Sequence, residues 1–199
     1  SIMVPQKHIE KKPVYFSLQH PIFRTYQGLS RKKATLISEL EKIELLKKLI
    51  DKFDRGNPLK RYRGDVYYEM SNLTKLFSAM KKEGWTPDYL TSKIDEYIQS
   101  IPYRDEFIYK RKTKQFEAGS LKQALVDAEL EKMEKLKAAV ASFENYQLLM
   151  REHNRYDFED MINWVLKAFK ENKNLLSQYQ ERFLYILVDE FQDTSGTQN

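Results

Sequence analysis

The chain has 199 residues, of which 34 are lysine or arginine and 29 are aspartate or glutamate, giving a formal net charge of +5. It has no cysteine, which excludes disulfides and thiolate metal sites. No apolar run approaches the roughly 20 residues that a membrane span needs, so we expect a soluble, cytoplasmic protein. Residues 1–33 hold seven basic residues against one acid. This excess permits contact with a phosphate backbone but does not require it.

Capping residues and apolar spacing predict a mainly α-helical chain. Residues 1–35 contain three prolines and no clear period, so we predict an irregular basic segment there. Ser38 and Glu41 form a capping box that opens a first helix. The sequence Gly56-Asn57-Pro58 follows that helix and marks a turn. The predicted buried face of the helix is Leu40, Ile43, Leu46, Leu49, Ile50 and Phe53.

Two further helices are predicted from their ends. The second closes at Gly84 as a left-handed residue, and Thr86 with Pro87 opens the third, which Pro102 stops. Their predicted buried residues are Leu73, Leu76, Phe77 and Met80, then Leu90, Ile94, Tyr97 and Ile98.

The longest predicted helix follows Gly119. Ser120 and Gln123 suggest a capping box, and helical composition continues to about Glu152. At 1.5 Å per residue this helix would be roughly 45–50 Å long. Since a small core cannot cover that length, we expect part of it to protrude as an arm.

The last part of the chain predicts two helices and a strand. Asp157 caps a helix whose apolar face is Phe158, Met161, Ile162, Val165, Leu166 and Phe169. A short helix near Leu175–Gln180 precedes an apolar run, Phe183–Val188, that ends in Asp189-Glu190. Such a run is typical of a strand buried on both faces, here at about Tyr185–Val188. Ligands bind beyond the carboxyl ends of such strands, and a carboxylate pair there can hold Mg²⁺ beside a triphosphate.

The residues that follow resemble a motif of a known protein family. Asp189-Glu190-Phe191-Gln192-Asp193-Thr194 resembles motif II of the UvrD/Rep/PcrA superfamily 1 DNA helicases, and Gln198 fits the same stretch. The segment 156–162 is similar to the one that precedes motif II in that family. The resemblance implies a helical insertion domain, residues 36–155, and a piece of a P-loop-type α/β motor domain, residues 156–199.

The resemblance also implies an activity and its residues. The full-length protein would be a bacterial, cytoplasmic, ATP-dependent helicase that translocates on single-stranded DNA and separates fork duplex. Its cofactors would be ATP and Mg²⁺. Asp189 would hold Mg²⁺, and Glu190 would orient and deprotonate the attacking water. Gln192 would sense the γ-phosphate and couple it to the DNA site, with Phe191 as packing between them.

A phosphate-binding loop is absent from the sequence. No Gly-x-x-x-x-Gly-Lys-Ser/Thr occurs, and without its backbone amides and lysine a triphosphate is not cradled. We therefore expect the chain to be a piece of a larger helicase that binds no nucleotide and hydrolyses no ATP by itself.

Two basic stretches interleave cations with aromatic rings, as DNA-contacting surfaces do. Their candidate residues are Lys60, Arg61 and Arg63 in the first, and Lys110, Arg111, Lys112 and Lys114 in the second. The alternative for both is a solvated loop between helices. A second hypothesis makes the insertion an arm that recruits repair or recombination proteins, with little DNA contact. A third, a fused nuclease, is left open by the sequence, as is the oligomeric state.

Overall fold

The computed structural model describes residues 34–61, 63–112, 115–182, 185 and 190–198. In these ranges the chain is mainly helical, as predicted, and its two strands are very short. The elements are β1 (Thr35–Leu36), α1 (Glu39–Asp51), α2 (Met70–Glu83), α3 (Pro87–Ser100), α4 (Gln123–Ala141), α5 (Phe143–Glu152), β2 (Arg155–Tyr156), α6 (Phe158–Glu171) and α7 (Lys173–Arg182). Short 3₁₀ turns lie at Ile101–Tyr103, Asp105–Phe107 and Phe191–Asp193.

Most helix ends form where the capping residues predict them. The Glu41 amide donates to Ser38 Oγ and the Ser38 amide donates to Glu41 Oε2, which completes the predicted capping box. Gly84 ends α2 with φ of 66°. Thr86 caps α3 by accepting from the Tyr89 amide. Ser38 and Thr86 satisfy amides that a helix start otherwise leaves unpaired.

The main core lies where α1, α2, α4 and α5 meet. Its fully buried side chains include Leu46, Leu49, Ile50, Leu73, Met80, Val140, Tyr146 and Met150. Phe77 stacks on Tyr146 with ring centroids 5.0 Å apart. The predicted face of α1 is wrong at its first turn, because Leu40 is 74% exposed and Ile43 is also exposed, while Leu45 is buried instead.

The prediction of a single long helix is wrong, because α4 ends at Ala141 and α5 begins at Phe143. Between them lies Ser142, a buried residue whose hydroxyl donates to Ala139 O at 2.8 Å. A serine that bonds to its own helix backbone competes with regular helix hydrogen bonding. The predicted cap at Ser120 is also absent, because its hydroxyl donates to Glu117 O.

The α4 helix is not a protruding arm over its described length. Its 19 residues span about 28 Å, and it packs along α3. Near its start, Val126 joins Ile101 and Phe107 in a second small apolar cluster. The helix is thus covered at both ends, by this cluster and by the main core.

The strands bring the two ends of the helical segment together. They pair in parallel, with Thr35 opposite Arg155 and Leu36 opposite Tyr156. Arg155 also donates two hydrogen bonds to Glu41 Oε1 at the start of α1, from Nε at 2.8 Å and from Nη2 at 2.6 Å. Residues 35–36 and 155–156 therefore lie side by side.

The apolar face of α6 is only partly covered by its described neighbours, α2 and α7. Phe158 is 66% exposed and Leu166 is exposed, contrary to the prediction, and Ala168 is the buried apolar residue of this helix. Of the predicted strand near residues 185–188, only Tyr185 lies within the described residues, and it is exposed and has no regular structure. Within the described ranges, no helix combines the length and apolar character needed to cross a membrane.

Candidate functional site

The motif II segment forms a tight turn that brings two predicted site residues together. Glu190 is exposed and has left-handed backbone angles, φ 53° and ψ 45°, followed by the 3₁₀ turn Phe191–Asp193. The Gln192 side-chain amide donates to the Glu190 carboxylate. A glutamate in this backbone region is strained, and such strain concentrates at functional sites. Phe191 is 62% exposed, so the described residues do not supply its expected packing.

The predicted Mg²⁺ ligand, Asp189, lies outside the described residues. Across the described ranges, no group of three or more histidine or acidic side chains is arranged to hold a metal ion. Protein Mg²⁺ sites beside a nucleotide need fewer ligands, since one or two carboxylates are completed by waters and phosphate oxygens. The exposed Glu190 carboxylate, adjacent in sequence to Asp189, suits that chemistry.

The residues after the turn dock on the end of α2. The Thr197 amide and its hydroxyl both donate to Lys82 O, at 2.9 and 2.8 Å. The Gly196 amide donates to Glu83 Oε2 at 3.2 Å. Thr197 is buried at this docking point. The continuation of motif II is therefore attached to the helical segment.

A buried charge cluster joins the same end of α2 to the start of α6. Lys81 Nζ lies 2.5 Å from Asp157 Oδ2 and 2.9 Å from Asp160 Oδ1, and its side chain is 3% exposed. Asp157 and Asp160 also exchange the two hydrogen bonds of a capping box at the start of α6. Asn163 donates to Lys81 O at 3.1 Å.

The two carboxylates of this cluster differ in their pKa. Burial alone would raise the pKa of Asp157, but Lys81 and the capping bonds outweigh burial and lower it. Burial, with the neighbouring Asp157 charge, raises the pKa of Asp160 despite Lys81. One ammonium thus holds one carboxylate firmly ionised and leaves the second easier to protonate.

The first basic stretch has one structural lysine and one stacked arginine. Lys60 Nζ donates to Asp51 O and Phe53 O, so it caps the end of α1. The Arg61 guanidinium lies 3.6 Å from the centre of the exposed Tyr68 ring. Arg63 is exposed. The Arg61–Tyr68 pair presents a flat cationic and aromatic surface directly before α2.

The second basic stretch lies on a hairpin-like loop. Ile108 and Leu121 form an antiparallel bridge, and Tyr109 stacks on Phe116 with centroids 4.6 Å apart. The exposed side chains of Lys110 and Lys112 pair with Asp105 and Glu117. Arg111 is exposed, and Lys114 lies outside the described residues.

Sequence reasoning missed the Lys81 cluster and the docking of Thr197. The sequence does indicate the Lys81 cluster, because Lys81 continues the spacing of the buried Leu73 and Phe77 along one face of α2. A lysine at such a position requires buried acidic partners. Thr197 had no comparable signal, since its partner is a backbone carbonyl 115 residues away.

The family model of the UvrD/REP helicase N-terminal domain matches residues 15–199. The chain therefore belongs to the UvrD/REP family of DNA helicases.

Curated relatives are similar over shorter segments. The putative ATP-dependent DNA helicase YjcD of Bacillus subtilis is 46% identical over 56 residues, 28% of this chain and 7% of that protein. The ATP-dependent DNA helicase UvrD1 of Mycobacterium tuberculosis is 34% identical over 87 residues, 40% of this chain and 11% of that protein. The chain thus covers only a small part of the length of these relatives. No solved structure matches it.

Proposed function

We propose that this chain belongs to the motor of an ATP-dependent DNA helicase that uses ATP hydrolysis to move along single-stranded DNA and separate duplex. The observation that carries the proposal is the turn in which the Gln192 amide donates to the Glu190 carboxylate, in the segment that resembles motif II of this family. Residues 36–155 form the inserted helical domain and residues 156–199 belong to the motor domain. The pairing of β1 with β2, at the ends of the helical segment, supports this division.

The proposed roles follow from the chemistry of each side chain. Asp189 holds Mg²⁺, which neutralises charge on the bound triphosphate. Glu190 is exposed and accepts the water proton as general base. Gln192, whose side-chain amide donates to Glu190, senses the γ-phosphate. The phosphate-binding loop comes from outside this chain.

Substituting Glu190→Gln in the full-length protein tests these roles. The variant keeps the size and shape of the side chain but loses the base, so ATP binding is retained while hydrolysis falls by about 10²–10⁴-fold. Nucleotide binding and turnover are measured on the same preparations. Asp193→Asn, in the same turn, is the matched control and retains turnover. Normal hydrolysis by Glu190→Gln would show that this carboxylate is not the base.

A second function is favoured by the ion pairs on the hairpin-like loop. Lys110 forms an ion pair with Asp105, and Lys112 forms one with Glu117. These carboxylates partly neutralise the two lysines and weaken their attraction for phosphate. In this alternative the helical domain recruits repair or recombination proteins. Salt dependence distinguishes the two: a DNA-contacting domain contributes to a steep fall of affinity with salt, and a recruiting arm does not.

A further inference from the structure

The two ends of α2 contact two different candidate sites. Before its first residue lies the Arg61–Tyr68 pair, a candidate DNA surface. At its last turn lies Thr197, seven residues after Glu190 in the motif II segment. The 14 residues of α2 span about 21 Å. One helix thus connects both regions.

The end of α2 is capped by other parts of the chain. The last carbonyls of a helix have no partner within it and need donors from elsewhere. Lys81 O accepts from Asn163 of α6, and Lys82 O accepts twice from Thr197. The segment that follows the Phe191–Asp193 turn and the first half of α6 are therefore both attached to one helix end.

Both ends of α2 are also held by buried charges, which limits its independent movement. At its start, the buried Glu69 accepts from Asn72 at 2.9 Å and pairs with Lys135 of α4 at 3.3 Å. At its end, Lys81 contacts Asp157 and Asp160 of α6. Close-packed interiors transmit strain, so a helix held at both ends is a suitable connection between the two regions.

We propose that α2 couples DNA contact at the Arg61–Tyr68 surface to the position of the Glu190–Gln192 turn, with Thr197 as the positioning residue. This inference rests on the proposed ATPase function of that turn. Thr197 touches neither nucleotide nor DNA in this scheme. It acts by fixing the segment that follows the turn to Lys82 of α2, so that DNA binding stimulates ATP hydrolysis.

The test compares three variants of the full-length protein: Thr197→Val, Thr197→Ser and Thr74→Val. Thr197→Val keeps the side-chain shape but loses the hydroxyl that donates to Lys82 O. Thr197→Ser keeps that hydroxyl. Thr74→Val is the matched control, since the Thr74 hydroxyl donates within α2, to Met70 O, at 2.9 Å. ATP turnover is measured with and without forked duplex DNA.

The expected result is a selective loss of coupling. The ratio of DNA-stimulated to unstimulated turnover falls roughly three- to tenfold in Thr197→Val, the effect of one net hydrogen bond. The unstimulated rate falls less than the DNA-stimulated rate. Thr197→Ser and Thr74→Val keep the wild-type ratio.

Four other results overturn the inference. A wild-type ratio in Thr197→Val would show that the hydrogen bond to Lys82 does not couple the sites, while leaving the proposed function intact. An equal loss with and without DNA, or a variant that fails to fold, would show that Thr197 is an ordinary structural residue. A wild-type protein without ATP hydrolysis would overturn the proposed function and this inference together.

Discussion

At the scale of single residues, Lys81 is the most constrained charge in the described part of the chain. Its ammonium is buried between two carboxylates that also cap α6, and its backbone carbonyl accepts from Asn163. A buried ion cluster is weak evidence for net stability, because desolvation offsets the attraction between the charges. Removal of one member is costly, since it leaves the others buried and uncompensated.

Lys81→Met is therefore expected to lower the free energy of unfolding of the chain by about 3–5 kcal/mol. Chemical denaturation measures the change. Lys82→Met is the control, because that side chain is largely exposed, and its effect stays within about 0.5 kcal/mol. The triple variant Lys81→Met/Asp157→Asn/Asp160→Asn recovers most of the loss, since asparagine still caps a helix. Lys81→Met with wild-type stability would contradict the assigned role of the cluster.

Glu41 gives a residue-scale prediction that depends on pH. The Arg155 hydrogen bonds, with those from Ser38, lower the pKa of Glu41 from 4.5 to about 2. Because the folded-state pKa is depressed, the stabilisation is fully present above about pH 4.5 and is lost as pH falls through about 2. Glu41→Gln removes this dependence, so its stability difference from wild type narrows across that window. Chemical denaturation at several pH values measures this stability difference.

Glu44→Gln is the matched control, on an exposed side chain of the same helix. Its difference from wild type is measured across the same pH range for comparison. If the difference in unfolding free energy between Glu41→Gln and wild type does not change with pH, the stabilising role of the Arg155–Glu41 pair is contradicted.

At the scale of elements, helix ends were predictable and helix continuity was not. Ser38, Gly84, Thr86 and Asp157 act through their immediate neighbours, so local sequence determines them. The break at Ser142 depends on tertiary burial, which a helical composition from Gln123 to Glu152 does not reveal. The exposed first turn of α1 has the same cause, because Leu40 is left largely uncovered by the described residues.

Gly84→Ala tests the predicted end of α2. The left-handed backbone at Gly84 costs a residue with a Cβ about 1–2 kcal/mol. The added Cβ would also lie 3.3 Å from Thr197 Cγ2. We expect a loss of stability of that size, measured by thermal or chemical unfolding. Gly56→Ala is the control, since an added Cβ meets no described atom within 4 Å there. Equal effects at both glycines would contradict the assignment.

At the scale of the whole molecule, the family was predictable from a few residues, but the packing of the C-terminal segments against α2 was not. The motif II sequence and the segment 156–162 identified the UvrD/REP family, which the family match confirms. Their attachment to α2, through Thr197 and Lys81, depends on contacts between residues far apart in sequence. The predicted site residue Asp189 and the predicted strand near 185–188 stay predictions, because they lie almost entirely outside the described residues.

The second basic stretch carries a prediction about the whole protein. Replacing Lys110, Arg111, Lys112 and Lys114 with alanine is expected to weaken DNA binding and flatten the plot of log K against log salt. The slope changes by up to about 0.9 for each phosphate that the variant no longer neutralises. The double variant Lys93→Ala/Lys132→Ala is the control, because both lysines are exposed and ion-paired, one on α3 and the other on α4. An unchanged slope would favour the recruiting arm.

Strand separation by the full-length protein is the decisive measurement for the proposed helicase function. A labelled forked duplex is incubated with the wild-type protein and either ATP with Mg²⁺ or a non-hydrolysable analogue. We expect release of the labelled strand with ATP, none with the analogue, and none from Glu190→Gln. Strand release that proceeds equally with the analogue, or ATP hydrolysis without any strand release, would contradict the proposed function.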